Sequence, residues 1–526
     1  MKRILLYIVG AGFLLTSALG CRKESDVLMP YDHNDYLVFS AADTSFAAKF
    51  DIIWNGLNQN YALWDYEAQH GLDWDAVYDT CYPKFQALDR RGPDQTVTDK
   101  ELKELLDEFL GPLHDGHLNV EVKNHITGST VTFAPSLARI YEREEFETVM
   151  SNPLHLSYYA DPANGEVETD PDGNPIVMVR STQVSNLIHA FSSVGGPWIN
   201  NKIEELEALP EPTDYQAFEL QQLKDLREGL RSMNGVTIQK ALQIYNGLQS
   251  KYGFLEVPGF DYIDPAFLEV AVEFRFALLK GNIAYFGFDH FNLSPYINGW
   301  QSKQQFNMDN TLTNDLVTQM KSVWLAWFNC IQELHKEGKL GGVIIDVRSN
   351  VGGHVMDSQY VTGPLVKDDY IHFGYQRFKR GTGRYDYSPM MEARVVGMKQ
   401  KHDDLSDVPV VLLVNCISVS MSETTALCIK TMPNGKTIGK RTFGAICVLT
   451  DNEEISYNYS GHIGVKGVTA VYCNVPSMAS FTMDGRVIEA QGITPDIEVD
   501  FDAAQFQATG RDSQLDRALQ YIRTGN

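Results

Sequence analysis

Two short segments carry most of the chemistry this sequence could perform. The first is VPVVLLVN (Val408 to Asn415), which runs into Cys416-Ile-Ser418-Val-Ser420-Met421-Ser422-Glu423. A β-branched apolar run that ends in a serine-rich turn and gives way to a helical pattern describes a strand feeding a helix. A serine at that helix start has unpaired backbone N–H groups beside it and the positive end of a helix dipole beneath it. A nucleophile and an oxyanion hole both need that environment. The second segment is Gly342-Val-Ile-Ile-Asp346-Val-Arg348-Ser-Asn350-Val-Gly352-Gly353, again a buried-strand pattern that breaks into a glycine turn. Glycine suits a backbone that must approach a tetrahedral intermediate closely. Serine before a helix is also an ordinary N-cap and Gly-Gly an ordinary turn, so neither segment decides alone.

Three groups could supply the base. Lys440 lies close in sequence, just before Thr442-Phe443-Gly444-Ala445. Leu113-His114-Asp115-Gly116-His117 offers two imidazoles, and histidine titrates near neutrality, where it can take a proton and return it. His354, directly after Gly353, is a second-choice base. Glu423, on the helix after the serines, is a candidate carboxylate whose plainer role is a dipole partner of its own helix.

The order of these motifs resembles that of the tail-specific (C-terminal processing) peptidases and the tricorn core protease. NIAYFGFDHF, GGVIIDVRSNVGG, VPVVLLVNCISVSMSE, GKRTFGA and EAQGITPDIEV follow one another from Asn282 to Val499, with an outlying piece at Leu113 to Val120. The resemblance implies an α/β fold: a crotonase-like (ClpP-like) catalytic domain with a helical N-terminal domain and an inserted α+β region. It implies serine peptidase activity on a peptide or protein substrate, with no cofactor and no metal. By the family's Ser-x-Ser-Glu sequence the nucleophile is Ser420, with Ser418 and Ser422 as competitors. The oxyanion hole is drawn from Gly352, Gly353 and Met421. Relatives with a Ser–Lys dyad carry the lysine 25 residues after the nucleophile, where this chain has Ala445. The tricorn-like branch uses a histidine in an L-x-D-G-H-like motif, which carries the base role to His117, and a glutamate at the position of Glu489. Two alternatives stand beside this reading: a processing peptidase that uses Lys440, and an inactive peptide-binding lipoprotein.

The elements that must position these residues are legible in part. Phe46 to Leu110 reads as helical, with Thr98 and Glu101 placed as a capping box before the amphipathic Thr98–Leu110 segment. Leu118 to Val122 resumes as a strand. Asn282 to Phe291 and Gly342 to Val347 read as strands, Leu312 to Lys336 as a long helix, and Lys436 to Gly439 as another strand. VKGVTAVYCNVPSMASFTMDG after them looks hairpin-like. Strands alternating with helices imply a largely parallel sheet with crossovers. The expected partition is a signal peptide (1–20), a tether (21–43), a helical domain ending in the His motif (44–122), an inserted region (123–280), the catalytic domain (281–505) and a C-terminal helix (506–526).

At 526 residues the chain exceeds one compact core. Its formal net charge of −24 argues against nucleic acid, whose phosphates require Lys and Arg. Met1-Lys2-Arg3, the apolar Ile4–Leu15 stretch and Ala18-Leu19-Gly20 before Cys21 read as an export signal resembling a bacterial lipobox. The expectation is a cell-envelope protein lipid-anchored through Cys21, with incidental Cys21 after ordinary signal cleavage as the alternative. The other six cysteines are scattered singly without metal-ligand spacing and read as buried thiols. No signal of oligomeric state is present.

Overall fold

The computed structural model describes residues 45–92, 96–134, 139–181, 196–232, 272–297, 311–381, 383–398, 402–449, 462–464 and 466–526. The leader, the tether and Cys21 lie outside them. Among the described residues no helix is long and apolar enough to cross a membrane. The described residues divide into two compact units: those within 1–135, 377–390 and 448–479 form one, and those within 136–376, 391–447 and 480–526 the other.

The first unit is built on the amphipathic helices Phe46–Asn60, Trp74–Asp89 and Asp99–Leu110. Their apolar stripes meet in an aromatic core in which Phe50 lies 5.1 Å from Phe85 and 4.2 Å from Phe109, ring centre to ring centre. Thr98 caps the third helix by accepting the Glu101 N–H, but the Glu101 carboxylate turns to Arg91 instead of completing the box. The charged guanidinium outcompetes a backbone N–H for that carboxylate. The strand Asn119–Lys123 pairs antiparallel with Thr130–Phe133 on one side and Val471–Asn474 on the other. The expected hairpin over residues 465–485 therefore does not form. Val471–Asn474 pairs with Asn119–Lys123 and His462–Ile463, and Met478–Phe481 belongs to a different sheet. Val475-Pro476 intervenes, and proline removes the donor a tight ladder would need.

The second unit carries a seven-stranded sheet in the order Ile497–Glu498, Gly435–Gly439, Val410–Val414, Gly342–Asp346, Ile283–Phe288, Glu273–Leu279, Val177–Ser181. The first five run parallel, and the last two are antiparallel additions. Every residue of Gly342–Asp346 and Val410–Val414 is buried, as expected of strands covered on both faces. The long helix Thr311–Lys336 places Met320, Val323, Trp324, Trp327 and Ile331 in the core on one side. The C-terminal helix Ser513–Thr524 contributes Leu515, Ala518 and Leu519 to the core on the other. This sheet decides where the chemistry sits: its two central parallel strands end side by side, one in the Gly352-Gly353 turn and one in the serine turn. Crevices beyond the carboxyl ends of such strands are where α/β sheets place ligands.

Candidate active site

The strand Val410–Val414 leads through a turn into the helix Met421–Thr431, and Ser420 is the residue between them. Its backbone has φ 57° and ψ −111°. Only three other non-glycine residues among those described have positive φ: Asn282, Ser349 and Ala490. A serine held in so sparsely populated a conformation costs of order 1–3 kcal/mol, and the fold must over-determine it. It does so here. The Ser420 N–H points to the Ala445 carbonyl (3.0 Å) and the Glu423 carboxylate (3.3 Å). The Ser420 carbonyl accepts the first helical N–H groups, from Glu423 and Thr424.

The neighbouring serines are committed elsewhere. Ser418 is fully buried and donates its hydroxyl to the Val347 carbonyl (2.8 Å), and Ser422, also fully buried, donates to the Asn350 carbonyl (2.9 Å). Ser420 itself is only partly buried.

The glycine turn lies against Ser420. A Cβ placed on Gly352, whose φ is +90°, would stand 2.6 Å from Ser420 Cβ and 3.0 Å from Met421 N. One on Gly353, at φ +140°, would meet the Phe291 carbonyl oxygen at 2.2 Å. Only glycine fits either place. The Gly352 N–H donates to Asn350 Oδ1 (2.9 Å). By contrast, the N–H groups of Gly353 and Met421 donate to nothing among the described residues. His354 follows on the exposed lip of this turn, its own N–H bonded to the Phe291 carbonyl.

Two fully buried carboxylates support the segment after Thr442. Glu423 accepts from Thr442 Oγ1 (2.6 Å), Gly444 N (2.9 Å) and Ala445 N (2.7 Å). Burial drives its carboxyl up to about 7, outweighing the donors that favour the anion, and the Glu489 charge adds to the rise. Glu489 accepts from Ile446 N and Cys447 N, both at 2.9 Å. Ala445, where lysine-type relatives carry the amine, is thus the residue whose carbonyl touches Ser420. Lys440 is spent elsewhere: its ammonium sits 2.7 Å from Asp500 and 2.8 Å from Glu498, and those two partners raise its pKa.

His117 belongs to the first unit. Its loop is an Asx-turn in which buried Asp115 accepts the His117 and Leu118 N–H groups (2.7 and 2.8 Å). Buried Glu67 grips the same loop at His114, accepting its N–H at 2.8 Å and meeting Nδ1 at 2.6 Å, while Tyr61 donates to Glu67. His117 Nδ1 has no hydrogen-bond partner among the described residues. Burial lowers the His117 pKa to about 4, so the ring is neutral at neutral pH. The sequence reading passed over Glu67 and Asn350. Glu67 carries no local signal at all, whereas Asn350 sits inside the glycine-turn motif and could have been singled out.

Ser420, Gly352, Gly353, Met421, Glu423 and Glu489 therefore all belong to the second unit and His117 to the first. Comparison with known proteins adds a family. Residues 317–499 match the model of peptidase family S41. No curated protein matches the chain. Among solved structures, a putative peptidase from Parabacteroides merdae is 14% identical, with 92% of this chain and 98% of that one covered and a TM-score of 0.46. Mature CPAF in complex with lactacystin is 13% identical, with 91% and 99% covered and a TM-score of 0.44. The tricorn protease is 18% identical over 47% of this chain and 18% of its own, with a TM-score of 0.27.

Proposed function

Residues 317–499 belong to peptidase family S41, a family of serine peptidases, and from that premise we propose that the chain is an endopeptidase working through an acyl-enzyme on Ser420. The observation that carries this reading is the backbone of Ser420, strained at the head of a helix beside an N–H that donates to nothing among the described residues. Strain of that kind exposes a nucleophile and leaves the following N–H free for an oxyanion. In the reaction, Ser420 Oγ attacks the scissile carbonyl and loses its proton to a general base. The tetrahedral oxyanion is held by the Met421 and Gly353 N–H groups, with Gly352 kept side-chain-free so that the substrate can come close. The base returns the proton to the leaving amine, and water then hydrolyses the acyl-enzyme.

The base we assign is His117. Its neutral ring at working pH supports the role, because only a neutral imidazole can accept the proton. Glu489 is assigned a supporting part, holding the Ile446–Cys447 backbone. The lysine alternative lacks a free amine, since Lys440 already serves two carboxylates.

Labelling of the full chain with a fluorophosphonate probe tests this. The expected result is labelling of the wild type and of Lys440→Ala, with labelling lost in Ser420→Ala and His117→Ala. Labelling that requires Lys440 and ignores His117 would replace the base with the lysine. The export reading is part of the same proposal. The basic, apolar and small-residue leader before Cys21 supports a lipid-anchored envelope protein, and incorporation of labelled palmitate that persists in Cys21→Ala would sink it.

A further inference from the structure

We propose that Asn350 is a positioning residue that sets the spacing between the oxyanion turn and the nucleophile; the inference rests on the Ser420 reading. Asn350 is fully buried and uses its side chain and its carbonyl at once. Its Oδ1 accepts the Gly352 N–H at 2.9 Å and its Nδ2 donates to the Phe288 carbonyl at 3.0 Å, so the side chain ties the glycine turn to the end of the Ile283–Phe288 strand. Its carbonyl accepts the Val419 N–H at 3.0 Å and the Ser422 hydroxyl at 2.9 Å, one residue before and two after the nucleophile. A single residue thus bonds to the backbone of Gly352, Phe288 and Val419 and to the Ser422 hydroxyl, and Gly352 is the residue whose added Cβ would collide with Ser420.

The chemical consequence concerns which N–H groups remain available. Because Asn350 Oδ1 takes the Gly352 N–H, the turn cannot present that donor, and the adjacent Gly353 N–H is left over to pair with Met421. The Asn350 carbonyl in turn fixes the elbow on which Met421 rides. Two oxyanion donors on different loops stabilise a transition state only if their separation is held to a fraction of an ångström. Hydrogen bonds to a shared buried amide do this more stiffly than packing of Val351 could, since Val351 is 46% exposed. Asparagine suits the task because it offers an acceptor and a donor in one plane without a charge to desolvate.

Serine attack on a fluorophosphonate displaces fluoride, the serine proton passing to the base, and builds negative charge on the phosphoryl oxygen in the transition state before a neutral tetrahedral ester is left, so its labelling rate reports the spacing. For Asn350→Ala the expected result is a fall in kinact of about tenfold to a hundredfold, with KI within about twofold of wild type. Asn434→Ala is the control for stability alone. It deletes two part-buried donations, to the Leu405 and Val408 carbonyls, away from the turn, and is expected to lower the melting temperature while leaving kinact unchanged. If Asn350→Ala behaves like that control, melting lower with kinact unchanged, the inference is overturned and Asn350 is structural only. Should Asn350→Ala fail to fold, Ser422→Ala decides, because it removes only the hydroxyl bond to the Asn350 carbonyl. A kinact reduced about threefold or more supports the inference, and an unchanged one rejects it. A wild type whose Ser420 takes no label overturns the Ser420 reading itself, which separates that failure from this one.

Discussion

Around Ser420, the strained backbone is held by bonds accepted on three sides: Ala445 and Glu423 accept the Ser420 N–H, and the Asn350 carbonyl accepts the Val419 N–H and the Ser422 hydroxyl. Around His117, the loop is held by one Asx-turn and by Glu67, which grips His114 three residues upstream, and the imidazole Nδ1 has no partner among the described residues. The difference matches what the role proposed for each group demands. A nucleophile and its oxyanion donors must be placed to a fraction of an ångström, and only a dense hydrogen-bond lattice on parallel strands does that. A base needs above all the right protonation state, and burial supplies that for His117, the base proposed above.

The sharpest way to break the comparison is to remove strain and hydroxyl together. Ser420→Gly is expected to abolish hydrolysis, a loss of about 10⁴-fold or more. The same change should raise stability by about 1 kcal/mol, because glycine adopts φ 57° without a Cβ penalty. Thermal denaturation beside Ser420→Ala checks this: alanine keeps the strain and should melt below the glycine variant. Equal melting temperatures would mean that the elbow stores nothing.

His117→Ala comes next, with an expected loss of about 10²–10⁴-fold. A second readout separates base from scaffold. With His117 lowered to about 4, the acid limb of kcat/KM should fall near pH 4, well under the range of an ordinary histidine. The sign for stability agrees: the unfolded chain binds the His117 proton below about 6.5 and the folded chain only below about 4. His117 therefore makes the protein less stable as pH falls through that interval. An acid limb near 6.5 would assign the base to a more exposed group.

Gly352→Ala tests the turn directly. The new Cβ would press on Ser420 Cβ at 2.6 Å and on the Val419 carbonyl oxygen at 2.8 Å, at a φ that alanine resists. Activity should drop by about a hundredfold and stability by about 2 kcal/mol. Activity near wild type would show that the turn can move away without cost to the oxyanion site.

How much of this was readable beforehand follows from range. The strands Gly342–Asp346 and Val410–Val414, the helix starting at Met421 and the capping role of Thr98 all rest on residues within a few positions of one another, where β-branching, glycine and caps act. At the sheet's antiparallel end Val177–Ser181 was not readable as a partner, because it meets Glu273–Leu279 across a long intervening stretch, whereas Glu273–Leu279 turns back on Ile283–Phe288 through only Lys280-Gly281-Asn282 and was passed over. The same holds for Val471–Asn474, whose partner Asn119–Lys123 lies some 350 residues earlier, so that local sequence suggested a hairpin instead. At the site, Ser420 and the two glycines are visible as a motif. The grip of Glu67 on His114 and of Asn350 on Val419 and Ser422 depends on side chains meeting in space, and no periodicity announces it.

The smallest expected effect sharpens the comparison from the other side. Lys440 stands five positions before Ala445 and is the only lysine of that segment, so sequence alone keeps it as a rival base. Its ammonium is instead shared by Glu498 and Asp500, whose side chains are 59% and 89% exposed. Ion pairs in such a setting are screened by water and contribute about 0–1 kcal/mol. Lys440→Ala should therefore lower the melting temperature slightly, by an amount that shrinks in high salt, and leave kcat/KM within about twofold of wild type. A large loss of activity with an unchanged melting temperature would return the lysine to the chemistry and take His117 out of it. The raised pKa of Lys440 argues for the first outcome, since an amine stabilised as its cation by two carboxylates is a poor acceptor for the serine proton.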